Sequence, residues 1–272
     1  MSVSVLDGYD LRAISPTVAQ VLDVPVPRGA EVGPVAEVLD TLPSAERLAL
    51  VVIDGFGSAL WLHVAHAVPT LNRLAGLHRL DISSVLPSLT YICLSTMLTG
   101  VSPENHGVVD LEGMVRVANA PQLDTVFDRV RGAGRETFLA VHRRDVEGIP
   151  LDRYADQTVL AEDRADTEIY GRVPDLVRAH QPAFAFVHLI DIDETSHAYG
   201  PYTAEVTRAA LEMDRRLKHF FTFLGGAGYA LMVLADHGMH EAPGGLGTHD
   251  GSVEEDLVVP LLWASAAELR SL

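Results

Sequence analysis

Leu48-Ala-Leu-Val-Val-Ile53 runs straight into Asp54-Gly55-Phe56-Gly57, and the reading of that stretch decides the fold. Six apolar residues in succession read as a strand buried on both faces, because a strand with one face in water would alternate apolar and polar positions. Five further runs have the same texture: roughly Leu80 to Leu86, Thr137 to Val141, Phe184 to Ile190, Tyr229 to Leu234 and Leu257 to Leu262. Helical patterns fill the intervals at Thr125 to Val130, Val173 to His180 and Thr203 to Leu224. This alternation predicts an α/β fold, a doubly wound and mostly parallel sheet with helices on both faces. Ahead of the first strand lie two short amphipathic segments, Val18 to Leu22 and Val35 to Leu39, split by the turn-rich Val24-Pro-Val-Pro-Arg-Gly29. They predict an N-terminal arm over residues 1–45, packed on the sheet. No repeat, low-complexity tract or flexible linker divides the chain, so 1–272 reads as a single domain with at most a small cap within 108–170.

Charge narrows the function. Lys and Arg number 20 against 37 Asp and Glu, a formal net charge of −17 with a pI near 5.0. Such a chain cannot neutralise phosphates over a broad surface, which excludes a binder of nucleic-acid polymers and disfavours an anionic membrane surface. A composition that is 48% hydrophobic and 21% charged is globular rather than disordered or fibrous. Cys93 is the only cysteine, so no internal disulfide and no multi-cysteine zinc motif can form. Met1 to Asp7 lacks a basic segment leading into an apolar run, and no apolar stretch reaches the roughly 18 residues of a membrane span. The expectation is a cytoplasmic protein. If its substrate is an anion, the charge must be reversed locally, and bound metal ions do that most strongly.

Ligands of open α/β sheets bind beyond the carboxyl ends of the strands. Asp54-Gly55 follows the first run, and Pro87-Ser-Leu-Thr90 follows the second at the head of a helical stretch ending at Gly100. Asp191-Ile-Asp193-Glu-Thr-Ser-His197 follows the fourth; Asp236-His237-Gly238 follows the fifth, with His249 twelve residues past His237. One Asp at a strand end is ordinarily a helix cap. Carboxylates and imidazoles gathered from several strand ends are not explained that way. Imidazole nitrogen and carboxylate oxygen suit zinc, which keeps a position open for chemistry, and manganese tolerates the same donors. Asp193 and His197, four apart, share one face of a helix. Asp236 and His237 are adjacent and need a sharp turn, for which Gly238 supplies the freedom.

Together with Thr99-Gly100, His106-Gly107, Tyr199-Gly200-Pro201 and Met239, these motifs span residues 48 to 262. In order and spacing the set resembles the alkaline phosphatase superfamily, in its nucleotide pyrophosphatase/phosphodiesterase branch, which shares much with phosphonoacetate hydrolase. The resemblance implies a two-zinc hydrolase of phosphorus esters, acting on a small anionic phosphoester or phosphonate. One zinc would be held by Asp193, His197 and His249. The second would be held by Asp54, Asp236 and His237, with Thr90 as the nucleophile on the same ion. A threonine hydroxyl is a poor nucleophile at neutral pH, and a metal is a recognised route to its alkoxide. Two Zn²⁺ against three carboxylates and one alkoxide sum to zero, so an anionic ester meets no net repulsion. A phosphoryl-threonine intermediate would then be hydrolysed by water. Phosphonate C–P hydrolysis, phosphomonoester hydrolysis and, from another class, an inactive metal-stabilised binding module are the alternatives.

The diesterase branch carries an asparagine about twenty residues after its nucleophile, where this chain has Leu111. The run Thr137 to Val141 ends in His142-Arg143-Arg144-Asp145, and Arg143 and Arg144 are candidate substrate-binding residues. Phosphonoacetate hydrolases resemble this arrangement, with two lysines after the corresponding strand. Cys93 reads as buried and inert, Ser88 as a turn residue, and Ser95 as lying on another helical face from Thr90. Asp191 competes with Asp193, but only Asp193 has the family spacing to His197. His63, His66, His78, His180 and His219 read as surface residues, and His106, His188 and His240 as candidates for orienting ligands.

Overall fold

The computed structural model describes residues 8–111, 114–117, 124–148, 151–162 and 165–272. In chain order the described strands are β1 (Leu48–Ile53), β2 (Arg79–Ser83), β3 (Val108–Leu111), β4 (Met114–Val117), β5 (Thr137–His142), β6 (Gln157–Ala161), β7 (Phe184–Leu189), β8 (Ala230–Leu234), β9 (His240–Glu241), β10 (Gly247–Thr248) and β11 (Val258–Ala264). Seven form one sheet in the order β2-β11-β8-β1-β7-β5-β6, flanked by the hairpins β3-β4 and β9-β10. The ladders β8-β1-β7-β5-β6 are parallel throughout. β11 pairs antiparallel with both β8 and β2, so it alone runs against the others. Its apolar run fits the expected strand, but its direction reflects the connection. Residues 235–257 hold only the β9-β10 hairpin and a short 3₁₀ turn, with no crossover helix to return the chain in parallel.

Every residue of β1, β5, β7, β8 and β11 is buried. The helices Ile14–Val21, Thr90–Thr99 and Val126–Gly132 pack together in one layer; Pro69–Ala75, Thr167–His180, Ala204–Gly226 and Ala266–Leu269 pack in another. Thr125 and Thr203 cap their helices through side-chain oxygens, which places both starts one residue inside the expected boundary. The arm lies against the first layer, where Thr17 Oγ1 accepts the Val35 amide at 2.9 Å and Asp10 bridges Ser83. Within 108–170, β5 and β6 belong to the sheet. β2 stops at Ser83 rather than Leu86, and Leu86 is exposed. Among the described residues, no helix is long and apolar enough to cross a membrane.

Candidate metal centre

Adjacent strands deliver the inner residues. Asp54 follows β1, and Asp236 and His237 follow its neighbour β8. On the other side of β1, β7 leads into the helix Asp191–Tyr199, which carries Asp193 and His197 one turn apart. Thr90 is the first residue of the helix Thr90–Thr99, which ends at Gly100 in the left-handed conformation (φ 75°). His249 follows β10 directly.

These seven residues converge on two neighbouring points. In the inner group, His237 Nε2 lies 3.1 Å from Asp54 Oδ1, 3.4 Å from Asp236 Oδ2 and 3.2 Å from Thr90 Oγ1. In the outer group, Asp193 Oδ1 lies 3.4 Å from His197 Nε2 and 3.6 Å from His249 Nε2. Each group has three ligand atoms within 4.8 Å of one another, and the rings of His237 and His249 stack at 3.7 Å, joining the two. The inner three residues are buried; His197 and His249 are half-buried.

The donor chemistry fits a pair of cations. Each of the three histidines donates its Nδ1 proton to a backbone carbonyl: His237 to Gly238 and His197 to Gly247 at 2.9 Å, His249 to Ser88 at 2.8 Å. That tautomer turns every Nε2 inward as a lone pair, the form in which imidazole binds a metal. His197 and His249 accordingly oppose Nε2 to Nε2 at 3.2 Å. Asp236 Oδ1 accepts the amides of Gly55 and His237 at 3.3 and 2.9 Å. Asp54 Oδ1, Asp193 Oδ1 and Asp236 Oδ2, one oxygen from each carboxylate, are buried without a hydrogen-bond partner. Buried polar atoms are rarely left so, and three meeting at one place call for positive charge.

Electrostatics tell the same story without the ions. Burial, then the charge of Asp54, pushes the Asp236 carboxyl up to about 7. Burial opposes ionisation of Asp54 too, but the neighbouring imidazoles of His188 and His237 outweigh it and hold that carboxyl well below the usual range. For His237, burial is overcome by Asp236 and Asp54, which raise it to about 10. A proton there stands in for a cation. Close packing makes the glycines obligatory: a Cβ on Gly55 (φ 69°) would meet Asp193 Oδ1 at 3.1 Å, and one on Gly238 would meet the Glu255 carbonyl at 1.8 Å. Gly238 therefore serves a close approach, not the turn that its sequence position suggested.

A surrounding layer supports the ligands. His240 Nδ1 pairs with Asp256 Oδ1 at 2.8 Å, and Asp256 Oδ2 accepts the amides of Asp250 and Gly251, fixing the loop that carries His249. His188 lies between Asp54 and Asp145. His106 is elsewhere: its Nδ1 accepts the Val108 amide and its Nε2 meets Thr96 Oγ1, both at 3.1 Å, bracing the helix of Thr90. Sequence reasoning did not single out Asp145, Asp256 or Glu194. The available signal was a histidine in the middle of the apolar run Phe184–Leu189, which must find buried partners.

Arg144 pairs with Glu194, the neighbour of Asp193, and its guanidinium also feels the charge of Asp54. Arg143 Nε donates to Glu162 Oε1 at 2.7 Å, away from the histidines of the centre. Asp191 Oδ1 accepts the Asp166 amide at 3.1 Å and is not among the ligand groups. Cys93 is buried, its thiol pushed up by that burial. Ser95 Oγ donates to the Tyr91 carbonyl at 2.7 Å. His63, His66 and His219 are exposed, while His78 and His180 are half-buried beside Glu268 and Glu136. The side chain of Leu111 lies outside the described residues.

The family described as type I phosphodiesterase / nucleotide pyrophosphatase matches residues 48–257. Venom phosphodiesterase 2 of Crotalus adamanteus is 24% identical over 220 residues, covering 71% of this chain and 27% of the relative. The chain thus spans roughly a quarter of the length of the curated relatives it matches. Murine ectonucleotide pyrophosphatase / phosphodiesterase 5, solved as an inactive variant with AMP, superposes with a TM-score of 0.61 at 18% identity, over 73% of this chain and 58% of that one. Phosphonoacetate hydrolase from Sinorhizobium meliloti 1021, with phosphonoacetate, gives 0.55 at 20% identity, over 72% and 57%. Both share the fold.

Proposed function

The chain belongs to the type I phosphodiesterase / nucleotide pyrophosphatase family, and from that premise we propose that it hydrolyses small anionic phosphorus esters through a covalent phosphoryl-threonine on Thr90. The observation that carries this reading is the set of three orphaned carboxylate oxygens meeting three inward-turned imidazole nitrogens beside the Thr90 hydroxyl. Asp54, Asp236 and His237 would hold one zinc ion, and Asp193, His197 and His249 a second. Bound there, the ions would supply Lewis acidity and favour the alkoxide of Thr90.

The chain's own residues do the rest. Thr90 Oγ1 attacks phosphorus, the bond to the leaving group breaks, and water later releases the phosphoryl group from Thr90. Opening a ten-residue helix, Thr90 sits where the backbone dipole favours anionic oxygens. Ser88 and Gly247 carbonyls hold His249 and His197 in the metal-binding tautomer throughout. Arg144 at the rim binds an anionic group of the substrate away from phosphorus, after exchanging Glu194 for it; Arg143 is the alternative. A rim cation favours, as second reading, a small phosphonate or phosphomonoester on the same residues.

Chromogenic phosphate mono- and diesters, phosphonates and nucleotides, assayed with and without chelator, test the reading. Thr90→Ala is expected to lose turnover by several orders of magnitude while elemental analysis still finds about two zinc ions per chain. Retention of more than about a tenth of the activity would remove Thr90 as nucleophile. Zinc uptake without turnover on any ester would leave a binding module. In Arg144→Ala and Arg143→Ala, an unchanged kcat/KM would return both arginines to the surface.

A further inference from the structure

His188 occupies the fifth position of β7, paired with Val52 of β1, and is fully buried. An imidazole in the central strands of a sheet costs free energy unless both nitrogens find partners. Here Nδ1 lies 2.9 Å from Asp145 Oδ2, and Nε2 lies 3.3 Å from Asp54 Oδ2. An ionised carboxylate accepts and does not donate, so Nδ1 donates to Asp145, while Nε2 faces Asp54 Oδ2 at ion-pair distance without closing a hydrogen bond. Asp145 is itself buried and anchored, with Oδ2 accepting the His142 amide at 3.2 Å. Neither Asp145 nor His188 offers an atom to the two ligand groups.

Resting on the reading of Asp54, Asp236 and His237 as a metal site, we infer that Asp145 and His188 form a positioning pair for Asp54. The His188 ring stands 3.3 Å from Oδ2 and leaves Oδ1, the atom facing His237, as the single oxygen open to the inner cation. A carboxylate turns readily about its last bond. Unheld, Asp54 would offer either oxygen or both, and binding an ion would then cost the entropy of fixing it. Asp145 acts one step further out by holding the His188 ring in its plane and keeping its proton in place. Such partners of metal ligands are worth about 10- to 100-fold in metal affinity.

The test uses the full chain in three variants: Asp145→Asn, His188→Gln and His188→Leu. Zinc affinity is measured by competition with a chromophoric chelator, and thermal midpoints are taken with and without zinc. Asp145→Asn is expected to weaken one of the two zinc sites about 10- to 100-fold, with the other site and the metal-free midpoint close to wild type. His188→Gln keeps an N–H donor and should retain more zinc affinity than His188→Leu, which keeps bulk and loses the donor. A purely structural role predicts the opposite order, because leucine suits the apolar strand better. Unchanged zinc affinity in Asp145→Asn, or a leucine variant binding zinc as well as the glutamine one, would overturn the inference. Wild-type protein that takes up no zinc would instead overturn the reading of the centre on which it rests.

Discussion

Gly57 and Gly238 show how little slack the centre has. A Cβ on Gly57 would lie 2.5 Å from Gly238 Cα, and one on Gly238 would strike the Glu255 carbonyl, so backbone surrounds both. Backbone gives way less easily than a side-chain tip. Gly238→Ala is therefore expected to cost at least the ~3 kcal/mol at the upper end of overpacking, read from denaturant midpoints. Gly132→Ala is the contrast, since a Cβ there meets nothing within 4 Å and φ lies outside the left-handed region. It should be neutral or slightly stabilising, because alanine restricts the unfolded chain. A tolerated Gly238→Ala would mean that Glu255 to Leu257 can shift away from the metal loop. The seven residues that come together were named from the strand-end pattern and the family resemblance it carries. Asp145, Asp256 and Glu194 were not, because a carboxylate in a loop or helix looks the same in sequence whether it faces water or a buried partner.

Long apolar runs made β1, β5, β7, β8 and β11 readable as elements, since strands covered on both faces exclude polar residues. β6 escaped notice for the converse reason. At the sheet edge its burial alternates, Gln157 and Thr158 face outward in part, and no apolar run remains to signal it. The helix Thr90–Thr99 was recognised by its glycine stop, but what braces it lies in the next element. His106, closing the helix Pro103–His106, is kept neutral by burial, which pulls it down to about 4. Its Nδ1 accepts from Val108, so the proton sits on Nε2 and is donated to Thr96. An unfolded histidine protonates near 6.5. Between about 6.5 and 4 the unfolded chain therefore binds more protons than the folded one, and the bracing is complete above that window and lost as pH falls through it. His106→Asn keeps an acceptor for Val108 and cannot protonate. Its stability deficit against wild type should be largest near pH 7.5 and shrink toward pH 5; a deficit independent of pH would show that His106 does not titrate on unfolding.

At the scale of the whole molecule, a net charge of −17 coexists with three carboxylates directed into one pocket at the sheet's carboxyl edge. Such a concentration of negative charge destabilises a fold unless something positive answers it. Protons answer it in part, as the raised Asp236 and His237 show. Zinc would answer it more fully, and binding to the folded chain alone stabilises it by mass action, about 4 kcal/mol when free zinc stands at a thousand times its dissociation constant. For a chain of this size, roughly 2–4 °C per kcal/mol makes that a rise in thermal midpoint on the order of 10 °C. The two sites should not empty together. The outer group reaches solvent through His197, whose side chain is 42% exposed, whereas the inner group of Asp54, Asp236 and His237 has side chains no more than 2% exposed. Excess chelator mixed with zinc-loaded protein is thus expected to remove one ion fast and one slowly. The larger loss of thermal stability should accompany the slow phase, because the inner carboxylates have no water to turn to. Time-resolved metal release read beside calorimetry at each stage decides it. A single release phase would show that the two sites empty as one, and a midpoint unmoved by removal of both ions would show that protons alone answer the charge of the cluster.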